Sequence, residues 1–425
     1  MRPRVYAKAE HCAVYRVKLP ERTACEPLFG EPATPGKDDA HLGGAPLGLA
    51  VDGKGKLFIA DHANDRVVVV NEKDGKFLGE VPVEKPDYLG VDPKSGSLYV
   101  TRRPAGKGAL VAVVKFSVPA AVKGAQEVCR ASVRMARAEY SSAVDSSAEP
   151  IVIWVGDRFG NLARLEDQGA KFSDARMVSG GIESYKSLPE CYLAVVVDRQ
   201  RNEVYARNST GGGLWVRYSE PTDEIEQVRI PGGQFGGGKG FQILPHPDGH
   251  LYGLRWLWCF FRYDRAGRPA PWDEPIAPTD AEAAIHGEGN KPIPEDQLEW
   301  MQKERSFSFV PVSMGELPHT LGIRESDGHL FVLSPVVRNR TCKVLREYLP
   351  SGRRVTTNPI LWKTSDAAVG PRFDAAGNIY VAEVVRPKGW LPQALAEHFN
   401  RLGLKGLAAG LRNREFVALR QGRRG

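Results

Sequence analysis

Long hydrophobic runs are missing from this sequence. No stretch of eighteen or more apolar residues occurs, so no membrane-spanning helix is expected. The opening Met1-Arg-Pro-Arg-Val-Tyr6 is basic but lacks the apolar core of a signal peptide, which leaves the compartment open. Cysteine is sparse: six residues, at 12, 25, 129, 191, 259 and 342, with no Cys-x-x-Cys pair. That excludes a zinc ribbon, a thioredoxin-type redox site and covalent haem attachment. Buried reduced thiols in strands are the simplest reading. Cys12 and Cys25 could face each other across a hairpin, but spacing alone does not supply disulfide geometry. No Gly-x-Ser-x-Gly elbow singles out a Ser-His-Asp set. No His-x-x-x-His pair of the helical kind exists either, since His246 and His250 flank a Pro-Asp-Gly turn. The run from Gly233 to Gly240 resembles a phosphate loop, yet Gly240 stands where a Ser or Thr would hold magnesium. It also leads into a strand, so the helix N-terminus that would receive a phosphate is lacking.

What remains is an ordinary folded composition, 42% hydrophobic and 26% charged. The net charge of +7 is uneven: residues 386–425 hold nine basic and two acidic residues, whereas residues 271–305 hold nine acidic and three basic. Local asymmetry of this kind says more than the global balance.

Internal repeats set the architecture. The clearest unit is Leu47-Gly-Leu-Ala-Val-Asp52, a Gly-rich turn, then Lys56-Leu-Phe-Ile-Ala-Asp61, followed by Val67–Val70 and Phe77–Val81. Alternation, β-branched residues and the Asp-Gly turn predict four consecutive strands. The two-strand core recurs near Asp92, Asp145, Asp198, Asp248, Asp327 and Asp374, giving seven copies, with six if the copy around 141–165 is irregular. Third strands are expected at 111–116, 162–165, 214–218, 257–263 and 342–348. The last copy has none after it, while residues 12–19 form a good third strand with no first strand before it. A tailless end and a headless start predict an all-β propeller of seven blades, closed by N-terminal strands that complete the last blade.

The segment Pro46–Arg66, with its P-x-G-x-A-V-D…G-x-L-F-I-A-D-x-x-N-D-R pattern, resembles the NHL repeat, and the loop from Phe29 to Asp39 resembles the linker that precedes such a repeat. The resemblance covers about residues 5–385 and implies a propeller of the broader group that includes gluconolactonase-like and peptidyl-amidating-lyase-like enzymes. Two departures from those enzymes stand out. The Glu-Gly-Pro-x-Trp segment of the lactonase pattern has no equivalent, and Asp61 is followed by His62-Ala63-Asn64 instead of Gly-Tyr-Cys.

The predicted layout is a propeller over 1–390, an acidic insertion at 270–318 between blades with a short helix near 295–304, and a basic, partly helical tail at 391–425. The second strands end in Asp61, Arg102, Asp157, Asn208, Arg255, Ser334 and Glu383, a polar and varied set that marks a candidate ligand-binding rim. Asp61, Asn64 and Arg66 also belong to the repeat motif, where an internal task fits: a carboxylate accepting turn amides and an arginine joining carboxylates and carbonyls. No catalytic set is identified. The expected function is a non-catalytic scaffold that binds a protein or polar ligand on its rim, without a cofactor. One alternative is a lactonase- or lyase-like enzyme with a central calcium or zinc, to which His62, His246 and His319 from different blades could contribute. Another is nucleic-acid binding through basic surfaces, although few aromatics are interleaved in the tail. The oligomeric state is left open.

Overall fold

A computed structural model of the chain describes residues 14–17, 25–31, 35–43, 48–104, 110–135, 140–157, 161–180, 195–208, 214–229, 240–255, 259–268, 270–271, 273, 307–309, 320–336, 339–353, 355, 360–363, 367–374 and 376–384. The predicted helices near 295–304 and 391–425 lie outside the described residues, as do Cys12 and His319. Among the described residues no helix is long and apolar enough to cross a membrane.

The strands form seven four-stranded antiparallel sheets, here blades 1 to 7 in chain order from Leu49. The first strand of each sheet touches the first strand of the next, and the seventh touches the first. First strands therefore surround the axis, and the molecule is an all-β propeller. Blade 7 is built from both ends of the described chain. Val14–Val17 pairs with Ile379–Val384, with Val14 opposite Ala382 and Val17 opposite Ile379, and Cys25–Phe29 adds the outer strand. The copy around 141–165 is a regular four-stranded blade.

One position of the second strand is aromatic in every blade: Phe58, Tyr99, Trp154, Tyr205, Tyr252, Phe331 and Tyr380, all buried. Each ring fills the space between sheets, and burial of such a side chain is worth about 1.5–3 kcal/mol. Several hydroxyls also reach the following blade. Tyr99 donates to Asp167 at 2.6 Å, Tyr252 to the Pro350 carbonyl at 3.1 Å and Tyr380 to the Glu72 carbonyl at 3.0 Å.

The turn from first to second strand is pinned by an aspartate in five blades. Asp52 accepts the Lys54 and Lys56 amides, Asp92 those of Lys94 and Ser95, Asp145 that of Ser147 and Asp374 that of Asn378; Asp198 instead holds the Arg201 guanidinium. Blades 5 and 6 depart from the rule. Backbone pairing places His246 and Arg324 at this position, and Asp248 and Asp327 lie within the turn, not at the strand end as the repeat reading placed them. His246 Nε2 donates to the Gly328 carbonyl of blade 6 at 2.8 Å, while its Nδ1 meets the Asp248 amide at 3.0 Å and Asp248 Oδ1 at 2.9 Å.

The acidic insertion also needs correction. Phe307–Phe309 pairs with Cys259–Tyr263 as the fourth strand of blade 5. The long excursion is therefore a connection inside one sheet, and not a segment between blades.

Candidate functional site at the upper mouth

The upper face is the one where first strands begin and second strands end. All seven predicted rim residues lie on second strands toward this face. Second strands stand one strand spacing, about 4.8 Å, outside those that surround the axis. Asn208, Arg255, Ser334 and Glu383 are placed by their backbone alone.

The three rim side chains that are described hold local structure. Asp61 is fully buried and accepts from the Gly43 amide at 2.9 Å, Asn64 Nδ2 at 2.8 Å and Arg66 Nε at 2.9 Å. Arg66, also buried, donates onward to Glu80 at 2.7 Å and to the Asp38 and His41 carbonyls at 3.0 and 2.9 Å. Asp157 accepts the Asn161 amide and side chain at 3.1 and 2.6 Å. Arg102 pairs with Glu84 at 2.7 Å. Each closes the hairpin or connection beside it.

A different group converges across blades 1 to 3. The pinned Asp61 is followed by a single 3₁₀ turn, His62–Asn64, which ends at Asp65 in the left-handed region (φ 57°). That turn projects His62 toward the start of the first strand of blade 2, Pro86–Val91. There the ladder is irregular: Pro86 faces Arg102 and Tyr88 faces Thr101, which leaves Asp87 as the extra residue of a bulge. Bulges re-aim side chains, commonly beside functional sites. Asp87 is buried, and its Oδ2 accepts the Tyr140 hydroxyl of blade 3 at 2.7 Å. Oδ1 makes no hydrogen bond but lies 3.1 Å from His62 Nδ1, which is also 3.1 Å from the Pro86 carbonyl oxygen. Arg103 Nε stands 4.0 Å from Oδ2. Tyr88 packs edge-on against Tyr140 with centroids 5.5 Å apart, and Thr101 Oγ1 meets Ser142 Oγ at 2.7 Å below them. Burial first, and the Asp87 charge second, push the Tyr140 phenol well above its ordinary range, so it remains a donor to Asp87.

The sequence reading named His62 but missed Asp87, Tyr140 and Arg103. It also offered His62, His246 and His319, from different blades, as metal ligands of the alternative enzyme. His62 follows a second strand and His246 precedes one, so the two lie at opposite faces of the ring. Among the described residues no three His, Cys, Asp or Glu side chains gather where a metal ion could be held.

No protein-family model matches the chain, and no curated protein matches it. Among solved structures it is similar to a streptogramin B lyase, with 13% identity over 80% of this chain and 93% of that one and a TM-score of 0.48. It is similar also to a catalytically inactive virginiamycin B lyase from Staphylococcus aureus with quinupristin, at 15% identity over 80% and 95% of the two chains, TM-score 0.44. A structure of a nidogen/laminin complex aligns at 11% identity over 61% and 88%, TM-score 0.39. The chain is a β-propeller on the evidence of its own strand pairing, and these likenesses add no activity to that.

Proposed function

We propose that the protein is a binding propeller that takes a polar ligand at its upper mouth, between blades 1, 2 and 3. The reading keeps the scaffold function expected from an NHL-like repeat but moves the contact point. Second-strand ends such as Asp61 and Asp157 are occupied with their own turns, which favours the start of the first strands as the place for a ligand. The observation that carries the reading is the Asp87 carboxylate, buried at a bulge on an innermost strand. One of its oxygens lacks a hydrogen bond and faces a histidine that reaches solvent. Buried charge without full pairing is costly, and such groups cluster at functional sites.

Chemical-shift mapping of the full chain with a panel of small polar ligands tests the proposal. Shifts grouped on residues 62, 87, 103 and 140 are expected. Shifts confined to the lower face would overturn it. Metal analysis of the purified protein separates it from the lactonase- or lyase-like alternative, which requires about one tightly held ion per chain.

A further inference from the structure

We infer that the lower face of blades 1 and 2, opposite the ligand mouth, docks on an anionic lipid surface. The inference is independent of the reading of the mouth. Four turns meet on this face: 52–56 and 71–76 of blade 1, and 92–97 and 117–125 of blade 2. The Glu72 amide donates to the Gly55 carbonyl at 3.0 Å, which joins the two turns of blade 1. Lys54 Nζ donates to the Lys94 carbonyl at 2.9 Å and Lys56 Nζ to the Pro119 carbonyl at 2.8 Å, which joins them to blade 2. Turns that close neighbouring hairpins at one end of a ring make a face, not a groove.

These turns carry six lysines, Lys54, Lys56, Lys73, Lys76, Lys94 and Lys123. All are exposed except Lys56, which is half-buried. Lys54 and Lys56 donate to carbonyls, which leaves their charge in place. Elsewhere Lys85 and Lys115 are held by Asp65 and Asp167, whereas no salt bridge to Lys54, Lys56, Lys76, Lys94 or Lys123 occurs among the described residues. The carboxylates of the same turns offset little of this charge. Asp52 and Asp92 are buried and accept turn amides. Burial, then the charges of Asp374 and Asp52, push the Glu72 carboxyl up to about 7. Asp74 is exposed, and Glu127, just beyond the last turn, is held by Arg130 at 2.7 Å. Like charges gathered in this way draw a polyanion to the face.

Residue type selects the polyanion. Arginine forks read base edges and aromatic rings stack on bases; the four turns contain neither arginine nor an aromatic residue. Lysine is a compact charge on a flexible stem, suited to a sheet of headgroups that offers no fixed register. A propeller seated on this face turns its upper mouth away from the bilayer.

The test is co-sedimentation of the full chain with vesicles of phosphatidylcholine alone or with about 30% phosphatidylserine. Binding to the anionic vesicles is expected, at least about tenfold weaker on the neutral ones and falling with salt. Replacing three exposed lysines together, Lys76→Gln, Lys94→Gln and Lys123→Gln, should weaken it by at least about twentyfold, since each lysine near such a surface is worth about fivefold. The basic stretch 386–425 is a second source of charge, so Arg412→Gln, Arg414→Gln and Arg420→Gln form the matched control, expected to lose less than the lysine variant. Acetylation footprinting should show Lys76, Lys94 and Lys123 protected by anionic vesicles, with Lys37 on the upper loop still reactive. Undiminished binding by the lysine variant, a larger loss in the control, equal binding to neutral vesicles, or unprotected lysines would each overturn the inference. Binding of a DNA duplex in place of vesicles, lost in the lysine variant, would assign the face to nucleic acid and overturn it too.

Discussion

Asp61 and Asp87 are both buried carboxylates, and their partners give them different work. Asp61 is surrounded by donors, so its charge is held by the Gly43 amide, Asn64 and Arg66. Removing one partner of such a buried pair leaves the other uncompensated. Asp61→Ala is therefore expected to lower stability by about 3–5 kcal/mol in denaturant unfolding. A loss below about 1 kcal/mol would show that Arg66 finds other partners. The Asp61 role was legible in the sequence because Asp, Asn and Arg sit within six residues in one repeat motif. The Asp87 cluster was not. Its members come from three blades, and Tyr140 is 53 positions away from Asp87, a contact that only ring geometry creates.

Strands and turns were largely readable, since period-two alternation and the Gly turns of blades 1, 2, 5, 6 and 7 stand in the sequence. Two regularities escaped that reading although both stand in the sequence. The aromatic at the centre of each second strand was passed over as one more strand former, yet it wedges each blade against the next. Trp154, packed 5.4 Å from Tyr218 and 5.8 Å below Arg164, is expected to cost about 3–5 kcal/mol as Trp154→Ala. Thermal and denaturant unfolding measure this, and a cost near zero would mean that the blade 3–4 interface is held by something else. The turn position was misread in blades 5 and 6 because Asp248 and Asp327 supplied the expected letter two or three places late. Backbone pairing, not residue type, fixed His246 and Arg324 there. The insertion was misplaced for a similar reason, as the three-residue strand Phe307–Phe309 is too short to announce itself.

At the scale of the whole ring, the closing seam joins the two ends of the described chain. Tyr380 reaches the Glu72 carbonyl, Arg372 Nε the Leu49 carbonyl at 3.1 Å, and Phe29 stacks on Phe77 at 6.4 Å. Gly75, at φ 73°, lies so close to Leu28 that a Cβ would stand 1.8 Å from its carbonyl oxygen. Burial, then the charges of Asp374 and Asp52, push the Glu72 carboxyl up from 4.5 to about 7. A carboxyl raised in the fold binds its proton more tightly there than in the unfolded chain. Its contribution is present below its ordinary value of 4.5 and is lost as pH rises to about 7. Unfolding curves should therefore show stability falling across that window, with a shallower fall in Glu72→Gln. Identical slopes would remove Glu72 from the seam. The closure itself was foreseen from a headless start and a tailless finish, and the pairing of Val14–Val17 with Ile379–Val384 supplies it. Its most direct test is a cross-link between Tyr15→Cys and Val381→Cys, which face each other in that pairing. Oxidation of the folded monomer should join positions 15 and 381 within one chain, as read by peptide mass mapping. Failure to form that bond in folded protein, or its formation only between chains, would contradict the closed ring.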